Sequence, residues 1–396
     1  MSRLNELIKK YCPNGVEYKP LGMVAVIKNG KDYKHLDSGN IPVYGSGGIM
    51  TYVNASVYNE PTVLIPRKGS LDKLYYVDTP FWNVDTIFYT EVDTKQILVK
   101  FLYYVLAKQH LERLNKAGGV PSLTQTVLNK VMIPVPPIEV QREIVKILDN
   151  FSELQAELQA ELQARQEQYE YYRNKLLLFN GIGGVAMDEI MSISRGSSPR
   201  PIQNFLTNDE DGIPWIKIGD VSPNSKYILS TKEKITKDGA AKSRHLKKGD
   251  FILSNSMSFG RPYILKIDGC IHDGWISLCG FEEHLDSDFL YHVLRSKPVQ
   301  AFWMAKANSG GAVSNLNSDI VRSTTIPVPP LSEQKRIATI LDKFDALVND
   351  LSQGLPAEIA AVQEQYEYYR NKLLSFPEYK LSARYGENTK RNSSDA

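Results

Sequence analysis

The sequence predicts an α+β protein: two α+β domains separated by two long antiparallel coiled-coil helices, with pseudo-twofold symmetry. Three observations lead to this prediction. The 396 residues contain an internal repeat. Each copy carries a long stretch with apolar residues in steps of three and four, which is typical of helix. Before each stretch lies a segment rich in β-branched and aromatic residues, which favours strands.

The repeat appears in two motifs. IPVPP occurs at 133–137 and again at 326–330, and QEQYEYYRNKLL at 166–177 recurs without a change at 363–374. Twelve identical residues are not a chance match, so the chain alternates between variable and constant segments. The expected segments are 1–132, 133–180, 181–325 and 326–376, followed by a polar tail at 377–396.

The constant segments are predicted to be helices that pair with each other. IPVPP cannot lie inside a helix, because its prolines lack donors and force extended backbone before them. The stripe that follows it is listed here for both copies: Ile144, Leu148, Phe151, Leu158, Leu162, Tyr169, Tyr172 and Leu176, then Ile337, Leu341, Phe344, Leu351, Leu355, Tyr366, Tyr369 and Leu373. About 40 residues of helix span roughly 60 Å. The alternative is that each helix packs on its own domain.

The second constant segment is four residues longer between the two motifs. Four residues add one turn and keep the apolar stripe facing its partner. Gly354 and Pro356 lie beside the extra turn. Pro356 lacks a donor and is expected to kink or break the second helix there.

The variable segments are predicted to be mixed, mostly strand, domains. Strands are expected at 62–65, 86–89 and 213–218, among others, and each domain is expected to end in a helix, at 99–115 and 287–304. Gly, Pro and Asp separate the strands. An α+β domain fits this pattern.

Charge is balanced overall but not locally. Lys and Arg number 47 against 45 Asp and Glu, which disfavours a uniformly basic coat. Residues 1–130 hold 16 basic and 11 acidic side chains, whereas the predicted helices are net acidic. Any DNA contact is therefore expected in the variable domains, and the helices are expected to contact protein.

Basic, aromatic and small polar residues cluster near glycine in the loops of both variable domains. Such residues can grip phosphate and also contact base edges, although each cluster alone could be a solvated turn. The candidate DNA-binding residues are Lys31, Tyr33, Lys34, Tyr44, Ser46, Arg67, Lys68, Ser70, Arg195, Ser197, Arg200, Lys217, Arg244, Asn255, Ser256, Ser258 and Arg261.

No catalytic or metal site is predicted. The sequence lacks a phosphate-binding loop of the Walker A type, an H-E-x-x-H zinc motif and a glycine-rich methyl-donor loop. Cys270-x-His272 with Cys279 matches no standard zinc spacing. Three cysteines without a C-x-x-C pair favour a reducing compartment, and no apolar stretch approaches membrane length, so a cytoplasmic protein with no membrane association is expected.

Taken together, the two IPVPP segments, the helices after them and the paired QEQYEYYRNKLL resemble a specificity (S) subunit of Type I restriction-modification systems. The resemblance implies two target-recognition domains, each binding one half of a bipartite site in double-stranded DNA. It implies that the helices set the gap between the two half-sites and bind two modification (methyltransferase) subunits. Restriction (translocase) subunits would join the same complex. This chain would catalyse nothing; S-adenosylmethionine, ATP and Mg are expected on the partners. Because the domains diverge, the half-sites should differ.

A shorter repeat lies inside the first helix, where Glu-Leu-Gln-Ala occurs three times over 153–164. The resemblance implies that this helix sets the distance between the half-sites and that its length can change by whole repeat units. Four residues add about 6 Å against about 3.4 Å per base pair, so losing one unit should shorten the gap by one or two base pairs. Identity of the 12-residue blocks also suggests near-identical coding DNA, which would let domains be exchanged by recombination.

Two other classes of function remain as alternatives. A coiled-coil structural scaffold would need no basic loops on two dissimilar domains, and salt-dependent DNA binding distinguishes it from a specificity subunit. A nuclease or methyltransferase acting alone would need a catalytic site that the sequence does not display.

Overall fold

The computed structural model describes residues 2–116, 118–177, 184–221, 225–255, 259–308 and 315–379. The chain forms two compact units. Unit 1 comprises Met1–Glu157 and Ala360–Ala396, and unit 2 comprises Leu158–Ile359. The two units are defined by contacts in space. The four segments and the tail expected from the sequence divide the chain by residue number, and that division stays a prediction.

The described residues form helices separated by runs of strands. The helices are α1 Ser2–Tyr11, α2 Leu21–Val24, α3 Val99–Lys108, α4 Gln125–Leu128, α5 Ile138–Leu177, α6 Met187–Ile190, α7 Lys237–Ala241, α8 Ser287–Leu294, α9 Lys297–Asn308, α10 Ser318–Arg322, α11 Leu331–Asn349 and α12 Leu355–Leu373. The strands are β1 Tyr18–Pro20, β2 Ala25–Lys28, β3 Ser38–Gly45, β4 Gly48–Val53, β5 Thr62–Pro66, β6 Tyr75–Val77, β7 Trp82–Asn83, β8 Ile87–Val92, β9 Met132–Pro134, β10 Val185–Ala186, β11 Ser192–Arg195, β12 Leu206–Thr207, β13 Ile213–Ile216, β14 Tyr227–Ile228, β15 Glu233–Ile235, β16 Arg244–Leu246, β17 Phe251–Ser254, β18 Pro262–Leu265, β19 Gly269–Ile271, β20 Trp275–Cys279 and β21 Thr325–Ile326.

Unit 1 is built on a four-stranded antiparallel sheet in the order β2-β8-β5-β6. Strand β5 is buried along its whole length and is apolar after Thr62. A second sheet has the order β4-β3-β7, in which β3 and β7 are parallel. A short pair, β1 with β9, joins the start of the chain to the first IPVPP.

The first half of α5 packs inside unit 1 against α12. Phe151 lies against Tyr366 and Tyr369, with the Tyr369 ring stacked at a centroid distance of 5.5 Å. Gln155, further along α5, hydrogen-bonds Gln363, which is earlier in α12. As the residue number rises along α5, the number of its contact residue in α12 falls, so the two helices are antiparallel.

Unit 2 repeats the main sheet with one strand more, in the order β11-β20-β17-β18-β14. Its second sheet has the order β12-β15-β13-β19-β16, and β13 and β19 are parallel. The short pair β10 with β21 leads into the second IPVPP. Within this unit the second half of α5 packs on α11, where Phe344 stacks on Tyr169 and Tyr172 at 6.3 and 5.7 Å.

One buried glutamine in each unit fixes the start of the helix to the recurring domain framework. Gln141 accepts the Leu98 N–H at 2.8 Å and donates to the carbonyls of Gln96 and Pro136 at 2.9 and 2.7 Å. Gln334 accepts from the Asp286 N–H and donates to the carbonyls of His284 and Pro329 at the same three distances. Both side chains are fully buried, so both geometries are tightly constrained.

The second constant segment is interrupted as Pro356 predicts, since α11 ends at Asn349 and α12 begins at Leu355. Leu351 lies in the intervening turn and is 69% exposed. Its assignment to the apolar stripe is therefore wrong, because the helix has already ended. Leu355, one turn later, is buried instead.

The helices expected at 99–115 and 287–304 are also broken. Helix α3 ends at Lys108, and His110 adopts a left-handed conformation with φ of 51° before a short 3₁₀ turn. In unit 2, α8 ends at Leu294 and α9 begins at Lys297, with Pro298 in its first turn, where a proline is tolerated.

The first residues of the expected polar tail pair with the start of the chain. Within unit 1 the Val16 N–H donates to the carbonyl of Pro377, and the Tyr379 N–H donates to that of Val16, both at 2.9 Å. Tyr18 donates to the carbonyl of Phe376 at 2.9 Å. Residues 377–379 thus pair with the start of the chain, and residues 380–396 lie outside the described part.

Candidate nucleic-acid interface

Sheet topology brings the predicted loops of unit 1 to one place. Strands β2 and β5 both run antiparallel to β8, with Lys28 opposite Tyr89 and Pro66 opposite Ile87. The loops that follow β2 and β5 and the turn that precedes β8 therefore meet at one edge of the sheet. Strand β7, parallel to β3, also ends in this turn. We call this set the loop edge of unit 1.

The basic residues after β5 converge on the turn before β8. Arg67 donates from Nη1 to the carbonyl of Asp85 at 3.3 Å, and Lys68 lies 3.8 Å from the Asp85 carboxylate. The Ser46 N–H donates to the Thr86 hydroxyl at 3.3 Å. The hairpin between β3 and β4 thereby joins the same group. Ser70 is half-buried in the loop that carries Arg67.

The loop after β2 reaches the other side of that turn. The Lys31 N–H donates to the carbonyl of Asn83, and Trp82 Nε1 donates to the Lys31 carbonyl at 2.9 Å. Lys31 and Lys34 are exposed, whereas Tyr33 packs partly into the small core beneath.

Tyr44, predicted as a DNA contact, is half-buried and packs with its neighbours in unit 1. Its ring centroid lies 5.8 Å from that of Tyr75 and 6.3 Å from that of Phe81. Burial and nearby anions raise the pKa of its phenol above the ordinary value, so it remains a neutral hydroxyl.

Unit 2 has the same edge, formed after β11 and β17 and before β20. Arg195 lies opposite Ile276, and Ser254 lies opposite Trp275, so these strand ends are adjacent. Arg195 donates from Nε to the carbonyl of Asp273 at 2.9 Å, and Arg244 donates from Nε to the carbonyl of Arg195 at 3.0 Å. We call this the loop edge of unit 2.

Asp273, which the sequence did not single out, organises this edge. Its carboxylate accepts from Arg200 Nη2 at 3.2 Å and Ser198 Oγ at 3.1 Å, and His272 Nε2 lies 3.0 Å from it. The Gly274 N–H donates to His272 Nδ1 at 2.9 Å, which holds the imidazole ring beside Asp273. Burial acts to raise the pKa of the Asp273 carboxyl, but His272, Ser198 and Arg200 together hold that pKa below its ordinary value.

A cleft of about 430 Å³ lies beside this group. Its lining includes Arg200, Lys217 and Trp215. Lys217 is paired with Glu233, so it contributes less free charge than the sequence suggests. The cleft is open to solvent, and its lining mixes charged, polar and apolar side chains.

The remaining candidates of unit 2 are distributed around the edge. Asn255 contacts the Asp273 carbonyl through Nδ2 at 3.5 Å, and Ser197 contacts the carbonyl of Lys242 at 3.4 Å. Arg261 lies over the ring of Tyr263 at 5.8 Å. Ser256 and Ser258 lie outside the described residues.

Two of the three cysteines have thiols with raised pKa values. Burial raises the pKa of Cys270 to about 11 and that of Cys279 to about 12, which keeps both as thiols. Among the described residues, no three His, Cys, Asp or Glu side chains are grouped to hold a metal ion. Within the same part of the chain, no helix is long and apolar enough to span a membrane.

Comparison with known proteins adds the decisive observation. The family described as Type I restriction modification DNA specificity domain matches twice, at residues 13–167 and 184–361. The chain belongs to this DNA-specificity family. The two matches coincide with the two occurrences of the sheet framework.

Similar proteins agree along nearly the whole chain. The specificity subunit of the Escherichia coli EcoR124I/EcoR124II type I restriction enzyme is 32% identical over 411 residues, covering 95% of this chain and 98% of that protein. A Haemophilus influenzae protein assigned to the same subunit class is 34% identical, covering 91% and 96%. A crystal structure of the type I S subunit from M. genitalium shares the fold, with a TM-score of 0.59 at 16% identity, covering 91% and 96%.

Proposed function

We propose that this chain is the non-catalytic DNA sequence-specificity subunit of a Type I restriction-modification complex. The loop edge of unit 1 binds one half of a bipartite site in double-stranded DNA, and the loop edge of unit 2 binds the other half. The observation that carries the proposal is one sheet framework, present twice, whose strand ends present basic and polar loops at the same edge. Membership of the DNA-specificity family supports it.

The two loop edges differ in which elements supply the arginines. In unit 1 Arg67 follows β5, whereas in unit 2 Arg195 ends β11 and Arg244 begins β16. Direct base contacts depend on where each side chain starts and points. The two half-sites therefore differ in sequence, and the complete site is asymmetric.

The catalytic groups belong to partners in this proposal. Two modification subunits dock on the helices, and restriction (translocase) subunits join the assembly. S-adenosylmethionine binds the modification subunits, and ATP and Mg bind the restriction subunits. The lack of nucleotide and methyl-donor motifs in this sequence supports that division.

The test is co-expression with the cognate modification subunit, followed by mapping of adenine methylation across a genome. We expect one bipartite, asymmetric motif. The double variant Arg67→Ala with Lys68→Ala should change preference in one half only, and Arg195→Ala with Arg244→Ala in the other half only. Two results would instead favour the scaffold alternative. One is methylation without sequence preference, and the other is a complex that shows no salt-dependent binding to duplex DNA.

The spacing role has its own test. Deleting Glu161–Ala164 removes one Glu-Leu-Gln-Ala unit and about 6 Å of helix. The preferred gap should shorten by one or two base pairs while both half-sites stay the same. The substitution Gln163→Ala, which alters an exposed side chain without changing length, is the matched control and should leave the gap unchanged. If the deletion leaves the preferred gap between the half-sites unchanged, the helix does not set that gap.

A further inference from the structure

Both loop edges contain an aspartate in the same turn. Asp85 lies two residues before β8, and Asp273 lies two residues before β20. In each turn the aspartate carbonyl accepts a hydrogen bond from an arginine: Arg67 at 3.3 Å in unit 1 and Arg195 at 2.9 Å in unit 2. These arginines come from different elements, so the aspartate is the feature that the two edges share.

The carboxylates also hold basic side chains, but with unequal strength. Asp273 is 28% exposed, accepts from Ser198 at 3.1 Å and from Arg200 at 3.2 Å, and lies 3.0 Å from His272 Nε2. Asp85 is 65% exposed and contacts Lys68 at 3.8 Å. Charge-assisted bonds to a partly buried carboxylate are stronger and more directional than an exposed pair at long distance.

An anionic side chain at this edge needs an explanation, because it repels phosphate and lowers general affinity for DNA. Arg200 is 81% exposed, so its pair with Asp273 contributes little to the stability of the fold. What the pair does supply is orientation. One Nη of the guanidinium is held, and most of the planar group faces solvent.

We propose that Asp273 is a positioning residue that aims Arg200 at a guanine in the half-site bound by unit 2. An arginine with a fixed plane can donate two parallel hydrogen bonds to the O6 and N7 atoms of guanine in the major groove. The Asp85 carboxylate has the same role for Lys68 in unit 1, with a smaller effect. This inference rests on the proposed function.

The test uses the complex with the modification subunit, and the methylation rate is measured for every single-base variant of the site. In Asp273→Asn, discrimination at one guanine of the unit 2 half-site should fall about tenfold, as expected for loss of one bidentate contact. Arg200→Lys should relax the same position. The other half-site should be unaffected, and binding to random DNA should stay equal or become tighter, because a negative charge is removed.

Two variants serve as controls. Asp211→Asn makes the same charge change in unit 2 and breaks an exposed pair with Lys237 of 2.8 Å. Asp211 precedes β13, at the end opposite to the one that reaches the loop edge, so specificity should not change. Asp85→Asn should relax only the unit 1 half-site, by a smaller factor.

The outcomes separate this inference from the proposed function. If the wild-type site is bipartite but its unit 2 half contains no guanine, or if Asp273→Asn weakens methylation equally at all positions, the positioning role is refuted and the specificity function stands. Relaxation at one guanine with an unchanged melting temperature supports it. A wild-type complex with no sequence preference refutes the proposed function itself.

Discussion

Units 1 and 2 present the same framework with different contacts at its surfaces. The order β2-β8-β5-β6 in unit 1 corresponds to β11-β20-β17-β18 in unit 2, and each unit has a parallel pair in its second sheet. Gln141 and Gln334 make three matching hydrogen bonds each. The hydrogen bonds that join α5 and α11 to the segments before α3 and α8 are therefore retained, while the loops at the strand ends have changed.

An aspartate on each helix shows how the framework tolerates change. In unit 1, Asp149 accepts from Tyr104 at 2.6 Å and pairs with Lys100 at 2.8 Å, and both partners lie on α3. Unit 1 thus neutralises the aspartate with side chains from a single helix.

In unit 2 the corresponding Asp342 accepts from His292 at 2.7 Å. The position equivalent to Lys100 is occupied by Asp288, which cannot supply a positive charge. Lys226, from the segment leading into the added strand β14, contacts both carboxylates at 3.0 and 2.7 Å. The comparison teaches that the helix requires a compensating cation but not a particular element to provide it.

The largest expected effect tests whether the two glutamines are equivalent. Gln141→Ala and Gln334→Ala each leave one buried N–H and two buried carbonyls without their partner. Each should lower the free energy of unfolding of its unit by about 3 kcal/mol. Hydrogen exchange measured segment by segment assigns the loss to one unit.

The exposed Gln163→Ala is the control for this pair and should change stability by less than about 0.5 kcal/mol. If only one of the two buried glutamines matters, the units do not share the same anchor.

A second pair of variants tests the aromatic contacts between the helices. Phe151→Ala removes the stack on Tyr369, and Phe344→Ala removes the stacks on Tyr169 and Tyr172. Both phenylalanines are half-buried, so a loss of about 2 kcal/mol is expected in each unit. Urea denaturation followed by circular dichroism measures it. A loss in one unit only would show that the two stacks are not equivalent.

Gly354→Ala tests how tightly the turn between α11 and α12 is packed, a turn that the continuous α5 does not have. A Cβ atom at residue 354 would lie 2.5 Å from the carbonyl oxygen of Ala346 and 2.7 Å from that of Leu347. Backbone must shift, at about 1–2 kcal/mol, and thermal unfolding should record this. At Gly47, where a Cβ meets nothing within 4 Å, the same substitution should be nearly neutral. An equally neutral Gly354→Ala would mean that the turn is not tightly packed.

The smallest expected difference depends on pH. His292 is fully buried, and burial lowers the pKa of its imidazole below the ordinary 6.5, against the opposing effect of Asp342. The unfolded chain therefore binds this proton more readily. Stability from the neutral histidine is complete above pH 6.5 and is lost as the pH falls through the folded pKa.

Tyr104, its counterpart in unit 1, does not titrate in this range, because burial and Asp149 raise the pKa of its phenol. Hydrogen exchange at pH 7.5 and 5.5, corrected for intrinsic rates, should show a larger loss of protection in unit 2. His292→Gln should reduce the loss of protection in unit 2 to the level seen in unit 1. An equal loss in both units would mean that His292 is not the cause.

Much of this organisation could be predicted from the sequence. The repeat, the helix periodicity and the interruption near Pro356 depend on local spacing, and local spacing is visible in the chain. The loops rich in Lys, Arg and Ser were also identifiable. Asp273 was missed because its importance comes from donors some 75 residues earlier in the sequence, at Ser198 and Arg200. Leu351 was misassigned because a heptad pattern does not reveal where a helix has already ended.

The sequence by itself determined that two similar domains alternate with two helices, because duplication and apolar periodicity are properties of the order of residues. Only the tertiary structure decided which strand ends share an edge and which side chains meet there. Hydrogen bonds such as those of Gln141 and Asp273 join residues far apart in the chain, and their geometry exists only after the sheets have formed.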